Sequence, residues 1–130
     1  MPALKYYRSA NSEAAKLPFS DAVRVGDVLY LSGCIGNRPG TREVVPGGMA
    51  AEAKQAMENV GAVLKANGLT FDDVFKATVM LADMKQWQAF NEIYETYFKP
   101  GHLPTRSAFG CAALALGAQL EIECWAAYAK

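Results

Sequence analysis

The chain has 130 residues, and its 13 lysines and arginines balance its 13 aspartates and glutamates, so the formal charge is zero. This length fits one domain, residues 1–130, and the balanced charge argues against a nucleic-acid-binding protein. Three cysteines without a C-x-x-C pair, together with the lone His102, predict a reducing compartment, by default the cytoplasm, and no metal site of the usual spacing.

Residues 1–7 lack the apolar core of a signal peptide, and no apolar run is long enough to predict a membrane-spanning helix.

The first regular structure predicted from the sequence is a pair of strands. Residues 23–25 and 28–32 are β-rich and are separated by Gly26 and Asp27, a two-residue connection typical of a tight hairpin. A further strand is possible at residues 5–8. Residues 37–48 are too rich in proline and glycine for regular structure and are predicted to form a loop.

The period of the apolar residues changes at Met49. From there they recur at steps of three and four residues, which predicts an amphipathic helix, and Gly68 suits a left-handed cap at its end. Residues 70–73 then connect the helix to a predicted strand at residues 74–81.

A second helix is predicted from aromatic residues at helical spacing, and it ends at Pro100 and Gly101 because proline cannot extend a helix. Helical spacing alone explains these rings, so they are expected to form core and not a stacking surface. The residues of this stripe are Trp87, Phe90, Tyr94, Tyr97 and Phe98.

Two strands close the chain, at residues 105–112 and 119–127, around a turn at Gly117. The order β-β-α-β-α-β-β, with the possible extra strand in front, predicts an α+β domain with one sheet and two helices. If both helices pack on one face, the other face needs cover, and self-association is a natural solution.

Two charged positions in the last strands suggest chemistry. Strand alternation puts Arg106, Ala108 and Gly110 on one face, and Glu121 and Glu123 together on one face of the next strand. Glu121 is expected to turn towards the face of Arg106, so an arginine and a carboxylate could meet. Arg106, between small residues, could hold a carboxylate by two parallel hydrogen bonds. Glu121 could orient or deprotonate a water.

Structural explanations remain open for the same residues. Arg106 could form a salt bridge to Glu121 or Glu123 or be solvated, and Glu121 could be a solvated acid on a strand face. Cys34 has no nearby base and His102 has no companion ligand in the sequence, which predicts an inert packed cysteine and a loop histidine.

Several motifs occur in a fixed order along nearly the whole chain. They are Leu-Ser-Gly at 31–33, Gln-Ala-Met-Glu-Asn-Val at 55–60, Phe-Asn-Glu-Ile-Tyr at 90–94, Pro-Thr-Arg-Ser at 104–107 and Leu-Glu-Ile-Glu at 120–123. Together they resemble the signature of the Rid family, the reactive intermediate deaminases, also called YjgF. In that family a P-x-R-S segment leads through a short loop to a V/L-E-I-E strand.

The resemblance implies a chorismate-mutase-like fold, with one mixed β-sheet and two helices on one face, assembled as a homotrimer with three clefts between subunits. It also implies an activity without a cofactor: hydrolysis of reactive 2-imino acids and enamines, released by pyridoxal-phosphate enzymes, to 2-keto acids and ammonia. An imine carbon is already electrophilic, so positioning and one oriented water can suffice.

Residue roles follow from the resemblance position by position. Arg106 would clamp the substrate carboxylate, helped by the backbone at Ala108, and Glu121 would hold the attacking water. The other pocket residues carried over are Ser32, Gly33, Asn91 and Phe19.

The sequence departs from the family pattern at two of these positions. Family members that hydrolyse imines usually carry a tyrosine where Phe19 stands and often a cysteine where Ala108 stands. The loss of the tyrosine hydroxyl removes a polar group from the pocket. The Leu-Pro step of the signature reads Leu114-Ala115 here, which affects the loop more than the site. Arg106 and Glu121 are present, so imine hydrolysis is still expected.

Two other functions are alternatives to deamination. A non-catalytic binder or sensor would capture a 2-keto acid or a related carboxylate with the same arginine. Ribonuclease activity, which has been attached to relatives, is disfavoured by the neutral charge and by the lack of a basic aromatic patch. The expected partners are a small carboxylate and other copies of the chain, with neither nucleic acid nor membrane.

Overall fold

The computed structural model describes residues 3–128, so Met1, Pro2, Ala129 and Lys130 of the predicted domain lie outside the described residues. Its centre is a six-stranded sheet. The strands in chain order are β1 (Leu4–Tyr7), β2 (Ala22–Val25), β3 (Val28–Leu31), β4 (Val74–Leu81), β5 (Thr105–Gly110) and β6 (Leu120–Ala127). Their order across the sheet is β1-β2-β3-β6-β4-β5. Among the strand pairs of residues 3–128, only β4 and β5 run in parallel, which confirms the expected mixed sheet.

The two predicted helices are present as α2 (Gly48–Ala66) and α3 (Trp87–Tyr94). The second is shorter than its aromatic stripe, because a 3₁₀ turn at Glu95–Tyr97 follows it and Phe98 is already extended. The possible N-terminal strand is confirmed as β1, and β5 ends at residue 110, two residues before the predicted boundary.

A short helix, α1 (Ala10–Ala15), was not predicted from the sequence. Its six residues carry no apolar period, and what starts it is a local cap: the Ser9 side chain accepts a hydrogen bond from the backbone N–H of Ser12 at 3.1 Å. Asp21 anchors the cap by accepting from the Ser9 backbone at 2.9 Å and from the Ser12 hydroxyl at 2.6 Å.

The core lies between the sheet and the helices α2 and α3, which confirms two main helices on one face. Alternate residues of β6 point into this core and are fully or almost fully buried. They meet the apolar stripe of α2 that the sequence predicted. The β6 residues are Leu120, Ile122, Cys124 and Ala126, and the α2 residues are Ala53, Ala56, Met57, Val60 and Leu64.

The opposite face of the sheet carries an aromatic cluster that is partly exposed within residues 3–128. Tyr30 and Trp125 meet edge to face with ring centroids 4.9 Å apart, and Phe75 lies 6.4 Å from Trp125. Tyr30 is 36% exposed and Phe75 is 41% exposed. Exposed rings on a flat sheet face are typical of a surface that another protein surface covers. No helix in residues 3–128 has the length and apolarity needed to cross a membrane.

Candidate functional site

A first cleft, of about 300 Å³, lies beside α3 and the edge strand β5. We call it the arginine cleft, and its lining residues are Trp87, Gln88, Asn91, Tyr94, Glu95, Leu103, Pro104 and Arg106. The salt bridges within residues 3–128 do not involve Arg106. Its Cζ atom instead lies over the ring of Tyr94, 4.8 Å from the ring centroid. The predicted alternative, a structural salt bridge to Glu121 or Glu123, is therefore wrong within one chain.

Asn91 contributes an unsatisfied acceptor to the arginine cleft. Its Oδ1 atom is buried and has no hydrogen-bond partner among the described residues. Buried polar atoms in native proteins almost always have a partner, so an unpaired carbonyl oxygen in a cleft is available to a ligand N–H or to water. Asn91 is thus placed where it could contact a molecule held by Arg106.

A second cleft, of about 250 Å³, is formed where β3 ends beside β6. We call it the glutamate cleft, and it is lined by Phe19, Ser32, Gly33, Glu121 and Glu123. After β3 the chain stays next to β6, because Cys34 and Ile122 exchange two backbone hydrogen bonds of 2.8 and 2.9 Å. The Ser32 hydroxyl donates to the Ser20 carbonyl at 2.6 Å, so towards a ligand it can act only as an acceptor.

Gly33 lies directly against the carboxylate of Glu121. A Cβ atom at Gly33 would overlap Oε2 of Glu121 and stand 2.8 Å from its Cδ. The backbone of Gly33 is not in the left-handed region, so the requirement for glycine is close approach and not turn conformation. The missing side chain leaves the space in which the carboxylate sits.

Gly33→Ala is therefore expected to lower the turnover of the imine hydrolysis expected from the sequence by roughly tenfold or more, because the new methyl group displaces the Glu121 carboxylate. Thermal unfolding should change little, since the end of a flexible side chain can move aside. Gly61→Ala is the matched control: its Cβ meets the Phe71 ring at 3.1 Å, neither residue lines a cleft, and wild-type turnover is expected. Wild-type turnover in Gly33→Ala as well would show that the position of this carboxylate does not matter.

The electrostatics of the glutamate cleft suit Glu121 to act as a general base. Burial, and then the negative charge of Glu123, raise the pKa of Glu121 above its ordinary value. A pKa raised towards the working pH is the property that a general base needs. Burial, with smaller contributions from Asp21 and Glu121, raises the pKa of the Cys34 thiol to about 12, so it stays protonated and unreactive, as predicted.

The prediction that Arg106 and Glu121 share a face is wrong within one chain. Between their strands lies β4, whose Ala77 pairs with Arg106 and whose Met80 pairs with Glu121. Ala77 points into the buried core and Met80, an odd number of residues away, points to the opposite face. Alternation fixes faces within a strand, whereas the relation between strands depends on register, which the sequence pattern did not supply.

The predicted site residues thus divide between the two clefts. Arg106 and Asn91 line the arginine cleft, while Phe19, Ser32, Gly33 and Glu121 line the glutamate cleft. Ala108 lines neither cleft; it follows Arg106 on the same face and packs against the core. Its strand is at the edge of the sheet, where one side of the backbone has no partner strand.

The sequence assigned no role in the chemistry to three residues of these clefts. Alternation placed Glu123 beside Glu121, and the structure confirms that both line the glutamate cleft. Helical spacing predicted Trp87 and Tyr94 as core. Tyr94 is indeed 5% exposed, but Trp87 is 42% exposed, and both line the arginine cleft. Within residues 3–128 no three histidine, cysteine, aspartate or glutamate residues are grouped as a metal site would need.

Comparison with known proteins gives consistent matches over most of the chain. The family model described as Endoribonuclease L-PSP matches residues 9–128. A mouse protein (Mus musculus) named 2-iminobutanoate/2-iminopropanoate deaminase is 47% identical over 119 residues, which are 92% of this chain and 87% of the relative. The human protein of the same name (Homo sapiens) is 46% identical over 115 residues, 88% of this chain and 83% of its own.

Solved structures agree with these matches. The YjgF gene product of E. coli superposes with a TM-score of 0.84 at 35% identity, covering 95% of this chain and 98% of that one. E. coli TdcF, solved with bound serine, has a TM-score of 0.79 at 34% identity and covers 86% of this chain and 89% of its own.

Proposed function

The chain belongs to the YjgF/Rid family, and on that basis we propose that it hydrolyses reactive 2-imino acids and their enamine forms to 2-keto acids and ammonia. The observation that carries the proposal is the pair of clefts, one with an unpaired arginine and one with a carboxylate of raised pKa. Deaminases named for 2-iminobutanoate and 2-iminopropanoate at 46–47% identity support the same reaction.

Arg106 binds the substrate carboxylate. Its guanidinium offers parallel N–H donors that match the two oxygens of a carboxylate, and no acidic side chain of the described residues is paired with it. Asn91 Oδ1 and the backbone near Ala108 add polar contacts around the same ligand. The serine bound to E. coli TdcF supports a family site for small carboxylates.

Glu121 activates water. The carboxylate takes a proton from water as the water oxygen attacks the imine carbon and passes it to the imine nitrogen, which gives a carbinolamine. It then takes the proton of the carbinolamine hydroxyl as the C=O bond forms and passes it to the nitrogen, which leaves as ammonia when the C–N bond breaks. Imine and water are converted to 2-keto acid and ammonia, without redox change. Phe19 packs against the substrate with a ring that has no hydroxyl, while Ser32 and Gly33 shape the wall around the carboxylate.

The working site forms between subunits of a homotrimer. Arg106 and Glu121 point to opposite faces of one sheet, which supports a site made from the arginine cleft of one subunit and the glutamate cleft of the next. The uncovered cluster of Tyr30, Phe75 and Trp125 supports the same assembly, because a partner would bury it.

Light scattering is expected to report about three times the chain mass of 14.0 kDa at micromolar concentration. The matched control is the same measurement on Phe75→Lys, which puts a charge into the exposed cluster and should lower the average mass. A wild-type monomer at that concentration would remove both the trimer and the site between subunits.

The direct test of the function is hydrolysis of 2-iminobutyrate generated in place by a threonine dehydratase. Acceleration of 2-ketobutyrate formation in proportion to protein concentration is the expected result. Stabilisation of the protein by 2-ketobutyrate without any acceleration would instead favour the non-catalytic binder or sensor.

The net charge and the cysteines bear on RNA binding and on the cellular compartment. The formal charge of zero offers no electrostatic field for RNA, although the matching family model carries a ribonuclease description. Cys34, Cys111 and Cys124 are all free, which supports action in the reducing cytoplasm.

A further inference from the structure

We infer that three rings of α3 position Arg106, with Tyr94 as the main contact; the inference rests on the proposed role of Arg106 as the carboxylate clamp. The Cζ atom of Arg106 lies 4.8 Å from the ring centroid of Tyr94, 5.8 Å from that of Trp87 and 5.9 Å from that of Phe90. We call these three residues the aromatic cradle. All three distances fall within the range of cation–π attraction.

The aromatic cradle holds the charge without using its hydrogen-bond donors. A carboxylate partner would occupy the N–H groups of Arg106, whereas a ring attracts the cation through its π face. Within residues 3–128 no salt bridge competes for the guanidinium. The N–H donors therefore stay available to a substrate while the side chain is kept in the cleft.

Of the three rings, that of Tyr94 lies closest to the guanidinium, and it is also buried and packed on both sides. It is 5% exposed, and its ring packs against Phe90 at 5.6 Å and Phe98 at 4.9 Å between centroids. Its hydroxyl is buried without a hydrogen-bond partner among the described residues. The ring and not the hydroxyl is thus the part of Tyr94 that acts on Arg106. Trp87, which is 42% exposed, is a looser second wall.

The test compares variants of the full-length protein by the affinity of 2-ketobutyrate, measured by calorimetry, and by KM and kcat for imine hydrolysis. Tyr94→Leu removes the ring and is expected to weaken 2-ketobutyrate binding roughly tenfold and to raise KM more than it lowers kcat. Tyr94→Phe keeps the ring and is expected to stay within about twofold of wild type. Tyr94→Phe separates the ring from the hydroxyl, whereas the larger change in KM than in kcat is what separates lost positioning of Arg106 from a general packing defect.

Two further variants control for the case in which Tyr94→Leu loses affinity only because the protein is misfolded. Trp87→Leu changes a ring that is 42% exposed, so a small effect on stability and a loss of roughly threefold in affinity are expected. Phe71→Leu removes a half-buried ring that contacts Tyr97 and Phe98 but not Arg106, so it should bind like wild type. Should Tyr94→Leu fail to fold, Trp87→Leu and Tyr94→Phe decide the question.

Wild-type affinity in Tyr94→Leu or in Trp87→Leu would overturn the inference, as would an equal loss in Tyr94→Phe, which would assign the role to the hydroxyl. These outcomes leave the proposed function intact as long as the wild-type protein hydrolyses imine. A wild-type protein that neither binds 2-ketobutyrate nor hydrolyses imine would overturn the proposed function and this inference together.

Discussion

Arg106→Lys is expected to weaken the binding of 2-keto acids by roughly 10- to 100-fold while leaving the fold intact. Lysine keeps the positive charge but not the planar fork, so one of two charge-assisted hydrogen bonds to the carboxylate is lost. The aromatic cradle also fits a flat guanidinium better than an ammonium group. Calorimetric titration with 2-ketobutyrate measures the change, and thermal unfolding monitors the fold.

Arg24→Lys is the matched control for this prediction. Arg24 is also an arginine on a strand that stacks on an aromatic ring, with its Cζ atom 3.7 Å from the Tyr128 centroid, but it lines neither cleft. Wild-type affinity is expected for that variant. If Arg106→Lys also binds 2-ketobutyrate normally, Arg106 has a structural role and the carboxylate is held elsewhere.

Glu121→Gln is expected to lower turnover by a factor on the order of 10² or more, with little change in 2-ketobutyrate affinity. Glutamine keeps the size and much of the hydrogen bonding of the side chain but cannot accept the proton from water. Steady-state kinetics with 2-iminobutyrate, and calorimetry on the same preparation, separate the two effects. Wild-type turnover in this variant would mean that another group holds the water.

Glu123→Gln tests how the charge of Glu123 affects the pKa of Glu121, the proposed base. Because the charge of Glu123 helps to raise the pKa of Glu121, its removal should lower that pKa. The base is active when deprotonated, so the acidic limb of kcat/KM against pH should move to lower pH, with smaller effects at neutral pH. An acidic limb that does not move would show that Glu121 is not the group that titrates.

Local sequence signals predicted much of the fold. The three- and four-residue apolar steps after Met49 gave α2, because they match the helical repeat, and the β-rich runs gave the strands to within a few residues. The helix α1 was missed because a cap made by Ser9 and Asp21, and not an apolar face, establishes it. Such a cap depends on contacts across 12 residues.

The residues of the candidate site could be chosen from the sequence, but their arrangement could not. The motifs around Arg106 and Glu121 identified both side chains, and alternation grouped Glu121 with Glu123. The register of β4 against its two neighbours decides that Arg106 and Glu121 face opposite ways, and no local pattern encodes that register. The double role of Tyr94, core and cleft wall at once, likewise depends on the three-dimensional position of Arg106.

The central claim, that each site combines Arg106 of one subunit with Glu121 of the next, is tested most directly by mixing two impaired variants. When Arg106→Lys and Glu121→Gln chains are coexpressed in equal amounts, every mixed trimer contains one site with both residues intact. At subsaturating imine, where the binding defect of Arg106→Lys and the turnover defect of Glu121→Gln both lower the rate, random assembly returns about a quarter of the wild-type activity. Mixed trimers no more active than the separate variants, beside an active wild type, would contradict the shared site.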